Sequence, residues 1–313
     1  MNEKYPSSIL VGLYTSLLIA FIYLCIRLIS GGNMENLFLE MGAIFTLTIL
    51  SITLILEFIL YRMLKSINTV TKKEIKKLQQ MEVFRREFLG DVSHELKTPI
   101  FAIEGFIETL LDGALEDPKV NRKFLEKTRK NAGRLSNLVQ DILTISQIES
   151  GDLSMVMEDF SIYGAVEDVL DSLSYKFTVK GRNINCQIIS EIDEDTLVYA
   201  DPNRIDQVLR NLVDNAVKYG DAEGKIKVVL KDYEQGRILV QVIDNGQGIS
   251  KKHLTRVFER FYRVDKSRSR ERGGTGLGLA ICKHFIEAHR ESLWVESERG
   301  EGSTFQFTLQ KVE

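Results

Sequence analysis

The sequence predicts a membrane-anchored protein with two transmembrane helices, an α-helical hairpin that dimerises into a four-helix bundle, and an α/β sandwich domain. Two long apolar runs open the chain, a charged stretch with apolar residues every three or four positions follows, and β-rich segments then alternate with amphipathic helices. The predicted domains are 1–62, the membrane region; 63–87, a helical linker; 88–152, the hairpin; and 153–313, the α/β domain.

The membrane region is predicted from the apolar runs 9–29 and 37–61, each long enough to cross a bilayer. A cleaved signal peptide is the alternative for the first run, but the run is too long and lacks a small-residue cleavage site. Basic residues follow the second run and are absent from the short loop 30–36, so we expect both termini in the cytoplasm of a multi-pass membrane protein. Arg27 opposes this rule and is expected to snorkel to the outer interface.

The hairpin is predicted from helical periodicity over 88–111 and from a second helix that starts at Asp117-Pro118 and ends at Gly151. Two helices alone bury little apolar surface, so a second copy of the chain is expected to complete a bundle. The first helix carries the motif FLGDVSHELKTPI, in which His94 lies roughly 200° from the apolar stripe and should face solvent. Glu95 follows it, and Thr98 lies one turn further on the same side. An ordinary surface histidine is the alternative.

Composition excludes some classes of protein. The net charge of -3 gives no reason to expect a nucleic-acid partner. Cys25, Cys186 and Cys282 lie at unrelated spacings in apolar surroundings, which favours buried hydrophobic roles over a disulfide or a metal site. The histidines other than His94 lack spaced ligand partners.

Polar residues recur along one face of the predicted helix 203–219. Asn211, Asn215 and Lys218 are separated by four and three residues, which aligns two amides and an ammonium group. Amide oxygens are acceptable Mg²⁺ ligands, and a lysine suits a phosphate.

Three further segments of the α/β domain carry groups suited to a nucleotide. Asp244 ends a predicted strand before glycines, where its carboxylate can accept from an exocyclic amine. Arg263 stands among aromatic residues. The run GGTGLGL at 273–279 leads into a helix whose N-terminal N–H groups can receive a polyphosphate. A Rossmann interpretation fails, because no strand immediately precedes these glycines and no βαβ unit with an acidic residue about 20 positions on is evident.

Taken in order, VSHELKTP, NLVDNAVKY, DNGQGI, FERFYR and GGTGLGLAI resemble the H, N, G1, F and G2 boxes of bacterial membrane sensor histidine kinases. The resemblance covers about residues 83–309. It implies a HisKA-type dimerisation hairpin and a Bergerat-type, GHKL-like ATP-binding domain. It also implies autophosphorylation of His94 from ATP, with Glu95 as base and orienter, and transfer to an aspartate of a response regulator. Thr98 would position water for phosphatase action on that regulator.

The same resemblance implies roles in the ATP site. Asn211 and Asn215 would hold Mg²⁺. Lys218, Tyr219 and Arg263 would approach phosphates, and Asp244 would recognise adenine. The glycines that would shape the pocket and lid are Gly246, Gly248, Gly274, Gly276 and Gly278.

The expected partners are a second copy of the chain and a cognate response regulator. The loop 30–36 is too short to build a ligand pocket, so the input is expected from membrane lipid or a neighbouring membrane protein. Glu57, a carboxylate near the inner end of the second run, is a candidate contact for that input, and simple snorkelling to the interface is the alternative.

Two other classes of protein stay open. A relative of the gyrase and heat-shock chaperone ATPases would share the nucleotide boxes but has no need of HELKTP. A membrane scaffold or a dedicated phosphatase would show broken boxes, and none is broken here. The chain departs from the family pattern at Arg290 and Glu291, where paired glycines are common, which puts the geometry of that turn in question.

Overall fold

The computed structural model describes residues 18, 20–23, 25–27, 29–30, 34–178, 183–221, 223–265 and 274–312. The chain divides into two compact units, Met1–Glu87 and Phe88–Glu313, and each is considered by itself. Helix α1, Met34–Thr109, contributes residues to both units.

The first unit contains an apolar helical segment suited to a membrane. Leu39–Ile67, within α1, is 29 residues long, and it is the one candidate span in the part of the chain that the structure describes. Most of the other predicted span, 9–29, lies outside the described residues. Arg27, which is expected to snorkel to the outer interface, forms an ion pair with Glu40, with 3.2 Å between Nη2 and Oε1. The snorkelling of this side chain stays a prediction.

The hairpin is formed by the end of α1, a π-helical turn at Leu110–Ala114 and helix α2, Asn121–Ser150. The turn contains Gly113 at φ 114°, as the predicted break at Asp112-Gly113 requires. Helix α2 ends at Gly151, whose φ of 75° gives the left-handed cap predicted for it.

The predicted start of the second helix is wrong by a few residues. Asp117-Pro118 forms a turn before the helix instead of capping it, because the Asp117 Oδ1 atom accepts from the Lys119 N–H at 2.9 Å. The Asp117 carbonyl oxygen accepts from the Asn121 N–H at 3.0 Å and closes the turn. The cap position falls to Val120, which offers no side-chain acceptor.

The rest of the second unit is the α/β domain. Its elements in chain order are β1 Glu158–Ser161, α3 Ile162–Phe177, β2 Asn185–Ser190, β3 Leu197–Ala200, α4 Pro202–Tyr219, β4 Lys225–Tyr233, β5 Arg237–Asp244, α5 Lys251–Leu254, α6 Gly278–Ala288, β6 Leu293–Glu298 and β7 Gly302–Lys311. The strands form a 7-stranded sheet in the order β1-β3-β7-β5-β4-β2, with β6 paired to β7. The β2–β4 pair is parallel and the other pairs are antiparallel.

Helices α3, α4 and α6 bury their apolar stripes in one core against the sheet. Leu212 of α4 and Phe285 of α6 are completely buried in it. This confirms the predicted helical hairpin followed by an α/β domain with a helical layer on the sheet.

Helix α4 is oriented by its N-terminus and its apolar stripe. Its N-cap, Asp201, accepts from the N–H groups of Asn203 and Arg204 at 3.0 and 3.1 Å, as expected for a capping carboxylate. The stripe that includes Leu209 and Leu212 is buried. The polar residues on the remaining face are therefore fixed in position by the packing of the helix.

The turn after α6 forms without the glycines common in related sequences. Arg290 adopts φ 62°, a left-handed conformation that costs a non-glycine residue about 1 kcal/mol. Glu291 is tied down beside it, because the Arg237 Nε atom donates to its carboxylate at 2.9 Å and the Thr308 hydroxyl donates at 2.5 Å. These bonds hold the turn in place.

Candidate active site

A cavity of about 390 Å³ opens between α4, the residues that follow β5, and residues 274–277, the glycine segment that leads into α6. It gathers nearly all the nucleotide-site residues predicted from the sequence. These are Asn211, Asn215, Lys218, Tyr219, Asp244, Gly248, Arg263, Gly274, Gly276 and Gly278. Gly246 is not among the described lining residues; its N–H donates to the Asp244 Oδ1 atom at 2.9 Å.

Asp244 supplies a buried acceptor at one end of the cavity. Its side chain ends strand β5, and the residue is 7% exposed. Burial raises the pKa of Asp244, and nearby Asp221 raises it further, while hydrogen bonds from Gly246 and Ser303 lower it. A Cβ atom at Gly246 would stand 2.5 Å from the Tyr219 carbonyl oxygen, so the loop can close on α4 only with glycine there.

The polar face of α4 presents amides and a lysine to the cavity. The Lys218 ammonium is held by Asp214, with 2.5 Å between Nζ and Oδ2, and Lys176 approaches the other oxygen at 2.6 Å. Burial alone would raise the pKa of Asp214, but the two lysines outweigh it and lower the pKa. Sequence reasoning missed Asp214, which lies between the two asparagines.

Asn211 and Asn215 contribute two amide oxygens to this face, and Gln207 contributes a third. In the residues the structure describes there is no group of three or more His, Cys, Asp or Glu side chains arranged to hold a metal ion. Amide oxygens suit a hard cation such as Mg²⁺, which takes most of its other ligands from water molecules and phosphate oxygens.

The glycine segment is fixed by contacts with residues 261–263. Gly276 has φ 77°, and a Cβ atom there would stand 2.9 Å from the Phe261 Cα atom. Its carbonyl oxygen accepts from the Phe261 N–H at 2.8 Å. Arg263 donates to the Gly274 carbonyl oxygen. The segment that leads into α6 thus has a defined backbone path, with helix α6 starting at its end.

Helix α2 of the hairpin also lines this cavity, through Asn137, Gln140 and Asp141. The Thr275 hydroxyl donates to the Asp141 Oδ2 atom at 2.8 Å. Neither residue was predicted as part of the site. Thr275 lies inside the glycine run and was within reach of sequence reasoning, whereas Asp141 belongs to no recognisable motif.

Arg263 joins the cavity to the hairpin. Its side chain is 6% exposed, and its Nη2 atom lies 3.0 Å from the Glu95 Oε2 atom. The Arg134 Nη2 atom approaches the same oxygen at 3.2 Å. The Arg263 Nε atom is buried without a hydrogen-bond partner among the described residues. A cationic donor is thus available in the cavity wall, while Glu95, predicted to orient His94, is held by two guanidinium groups.

His94 itself is exposed and is not among the described residues that line the cavity. The hydroxyl of Thr98, one turn away, donates to the His94 carbonyl oxygen at 3.3 Å. The structure therefore joins Glu95 to Arg263, a residue of the cavity wall, but neither Glu95 nor His94 is among the described lining residues.

Two further contacts hold the α/β domain on the hairpin. The rings of Phe88 and Phe261 lie 5.8 Å apart between centroids. Arg260 forms an ion pair with Glu149 of α2 and also lies over the Phe88 ring, 5.9 Å from its centroid. We call this arrangement, with the contacts of Arg263 and Thr275, the docked arrangement.

A hairpin with an exposed histidine, docked on an α/β domain with a polar cavity, defines a two-domain protein of the hairpin-plus-α/β class. Sequence comparison agrees with this class. Residues 84–151 match the His Kinase A (phospho-acceptor) domain family. Residues 200–313 match the family described as histidine kinase-, DNA gyrase B-, and HSP90-like ATPase. The chain belongs to the sensor histidine kinases.

The relatives share the same two domains. The sensor histidine kinase WalK of Bacillus subtilis is 37% identical over 238 residues, which are 75% of this chain and 38% of WalK. A WalK of Staphylococcus aureus is 34% identical over 240 residues, 75% of this chain and 56% of the relative. The chain thus spans only about 38% of the length of most of the WalK proteins it matches.

Solved structures show the same fold. The Acinetobacter baumannii histidine kinase AdeS superposes with a TM-score of 0.57 at 27% identity, over 70% of this chain and 98% of that chain. Histidine kinase ThkA in complex with the response regulator protein TrrA gives a TM-score of 0.57 at 28% identity, over 72% of this chain and 61% of that chain.

Proposed function

We propose that the chain is a sensor histidine kinase that phosphorylates His94 from ATP and passes the phosphoryl group to an aspartate of a response regulator. We propose that it also dephosphorylates that regulator. The proposal rests on the cavity, which has a buried acceptor, Asp244, and a buried donor, Arg263, beside a hairpin with an exposed histidine. The similarity to ThkA, solved with TrrA, supports a response regulator as the partner.

ATP fits the cavity by the chemistry of its walls. The Asp244 carboxylate accepts from the adenine amine. The glycine segment before α6 offers backbone N–H groups to the phosphates, and the Arg263 guanidinium in the cavity wall supplies a cation. Lys218 and Tyr219 add polar groups from the end of α4.

Asn211 and Asn215 would hold Mg²⁺, for which amide oxygens are suitable ligands. When bound, the ion neutralises charge on the phosphates. Asp214, between these two residues in the sequence, is taken up by Lys218 and Lys176, so the amides are the better candidates.

The chemistry requires a nucleophile and a group that orients it. The His94 Nε2 atom attacks the γ-phosphorus in line, the bond from that phosphorus to the β-phosphate oxygen breaks, and ADP leaves. Glu95 accepts a hydrogen bond from Nδ1–H, which keeps Nε2 nucleophilic and stabilises the positive charge that forms. His94 lies outside the cavity in the docked arrangement, so transfer requires the α/β domain to move either to the His94 of its own hairpin or to that of a second copy.

Phosphatase action assigns a different task to the hairpin. Thr98 lies on the same side of the helix as His94, where its hydroxyl can orient water toward a phosphorylated aspartate. The hydroxyl proton is directed to the His94 carbonyl oxygen, which leaves its lone pairs available to a water molecule.

The quaternary and membrane arrangement follows from exposed apolar surface. The hairpin exposes Phe101, Leu111, Leu125, Val139 and Leu143, which a second copy would cover in a four-helix bundle. We propose the division 1–62, 63–87, 88–152 and 153–313, with two membrane spans, cytoplasmic termini and input from lipid or a neighbouring membrane protein. Leu39–Ile67 supports the membrane location.

The test is phosphorylation of the full chain in lipid nanodiscs with ATP labelled at the γ-phosphate by radioactive phosphorus. We expect label that is lost in acid and kept in alkali, as for a phosphoramidate. His94→Gln should abolish it and keep nucleotide binding, whereas His284→Gln, which alters a histidine on α6, should keep both. Comparable label on His94→Gln would remove His94 from the mechanism. ATP hydrolysis without label would instead indicate an ATPase.

A further inference from the structure

One wall of the nucleotide cavity belongs to the hairpin and not to the α/β domain. Asn137, Gln140 and Asp141 line the cavity, yet they lie within the segment 84–151 that matches the phospho-acceptor domain. Asp141 is the ionisable member of the three. The charge of the docked cavity therefore depends on a residue outside the domain that carries the nucleotide motifs.

Asp141 is held at the end of the cavity where the glycine segment enters α6. The Thr275 hydroxyl donates to its Oδ2 atom at 2.8 Å and accepts from the Leu277 N–H at 3.2 Å. Thr275 lies between Gly274 and Gly276, the residues proposed to receive phosphates. The carboxylate is therefore fixed at the phosphate end and not at the adenine end.

The charge of Asp141 is only partly balanced. Burial raises the pKa of Asp141, while the Thr275 hydrogen bond and the nearby Lys218 lower it. Lys218 is shared, because its ammonium lies 2.5 Å from the Asp214 carboxylate. A terminal phosphate in this end of the cavity would bring further negative charge close to a partly buried carboxylate, where screening by water is weak.

We propose that Asp141 is a specificity-determining residue that makes the docked chain favour a nucleoside diphosphate over a triphosphate. Its carboxylate repels the terminal phosphate of ATP and tolerates ADP, which lacks that phosphate. The inference rests on the proposed function, since it takes the cavity as the ATP site. Because coupling between two binding events is reciprocal, ATP in the cavity weakens the docking of helix α2 on the α/β domain. The ADP that remains after transfer allows α2 to dock again.

The test compares two nucleotides on the full chain in lipid nanodiscs with Mg²⁺ present. Affinities for AMPPNP and ADP are measured for the wild type and for Asp141→Asn, which keeps an acceptor for Thr275 and removes the charge. We expect AMPPNP to bind roughly three- to tenfold tighter to the variant, as expected for one nearby charge at an intermediate dielectric. ADP affinity should change by less than about twofold, because the repelled phosphate is absent.

Two further variants distinguish the effect of the Asp141 charge from the effect of the docked arrangement. Glu149→Gln removes the ion pair with Arg260 in the docked arrangement without altering a described lining residue of the cavity. By the same reciprocal coupling it should favour AMPPNP over ADP in the otherwise wild-type chain, and it should shift both nucleotides alike when it is combined with Asp141→Asn. Thr275→Val removes the hydrogen bond and keeps the charge on Asp141, so it should change the ratio of the two affinities less than Asp141→Asn does. If Asp141→Asn does not fold, Asp141→Ser carries the same expectation.

An equal change for both nucleotides in Asp141→Asn would overturn the inference, and so would weaker AMPPNP binding, which would make Asp141 a contact for metal or nucleotide. These results differ from a failure of the proposed function. If the wild-type chain binds neither nucleotide, both proposals fall; if it binds both and the ratio does not respond to Asp141, the specificity proposal alone falls.

Discussion

Replacing Asp244 with Asn tests the adenine contact most directly, because the structure fixes which way the new amide must point. The Asp244 Oδ1 atom accepts from the Gly246 N–H at 2.9 Å. An asparagine keeps this bond only by leaving its carbonyl oxygen there, so its NH₂ group must face the cavity. Two donors, the amide and the adenine amine, then oppose each other. A flipped amide would instead leave the Gly246 N–H facing a donor.

The cost follows from the lost bond. A hydrogen bond to a charged acceptor contributes about 1.5–3 kcal/mol. Since about 1.4 kcal/mol is tenfold in affinity, ATP should bind roughly 10- to 150-fold more weakly to Asp244→Asn. AMPPNP titration of the full chain in nanodiscs measures this. Asp221→Asn is the matched control, because it removes a nearby charge without altering a described lining residue, and it should change affinity less than about twofold.

The same variant should be more stable without nucleotide. The pKa of Asp244 is raised in the folded chain, so the folded state binds more protons than the unfolded state between the ordinary and the raised pKa. Stability therefore falls as pH rises through that window. Asparagine does not titrate, so the Tm of Asp244→Asn should exceed that of the wild type above the window, and the difference should shrink in acid.

For the affinity experiment, unchanged ATP affinity in Asp244→Asn, or an equal loss of affinity in Asp221→Asn, would refute the assignment of Asp244 to adenine.

Three other predictions concern separate parts of the molecule. Thr98→Ala should keep autophosphorylation and lose dephosphorylation of the regulator; an equal loss of both activities would mean that the helix is disturbed. Gly276→Ala should weaken AMPPNP binding at least about tenfold, because its Cβ atom would meet the Phe261 backbone at 2.9 Å. Gly300→Ala, with φ 93° and open space around it, is the control and should bind normally. Exchanging the loop 30–36 for an unrelated polar linker should preserve regulated signalling, as measured by labelled regulator; loss of the response would make the loop the sensor.

The polar face of α4 shows how far sequence periodicity reaches. Asn211, Asn215 and Lys218 were predicted on one face, and all three line the cavity. The prediction succeeds because spacing within one helix fixes relative direction. Asp214 was missed although its pair with Lys218, four residues further on, follows the same spacing rule; its second partner, Lys176, is 38 residues away and no spacing rule predicts that contact.

Contacts between the domains could not be read from the sequence for the same reason. The Thr275–Asp141 bond joins residues 134 apart, and the Arg263–Glu95 pair joins residues 168 apart. A short motif predicts the chemistry of a side chain, but docking of two separately folded layers decides its partner. The prediction for the start of α2 failed at shorter range. The Asp117 carboxylate accepts from the Lys119 N–H within a turn and therefore does not cap the helix.

Glu95 shows what the docked arrangement means for catalysis. Its Oε2 atom accepts from both Arg134 and Arg263, and its side chain is only 14% exposed. Both contacts are made to one oxygen, so Oε1 is the atom that remains for the His94 Nδ1–H, and the two nearby cations weaken it as an acceptor. Arg263 lines the cavity and has a natural alternative anion in a phosphate of ATP. A phosphate in the cavity would therefore compete with Glu95 for Arg263, and we expect loss of that contact to make the carboxylate a stronger acceptor for His94.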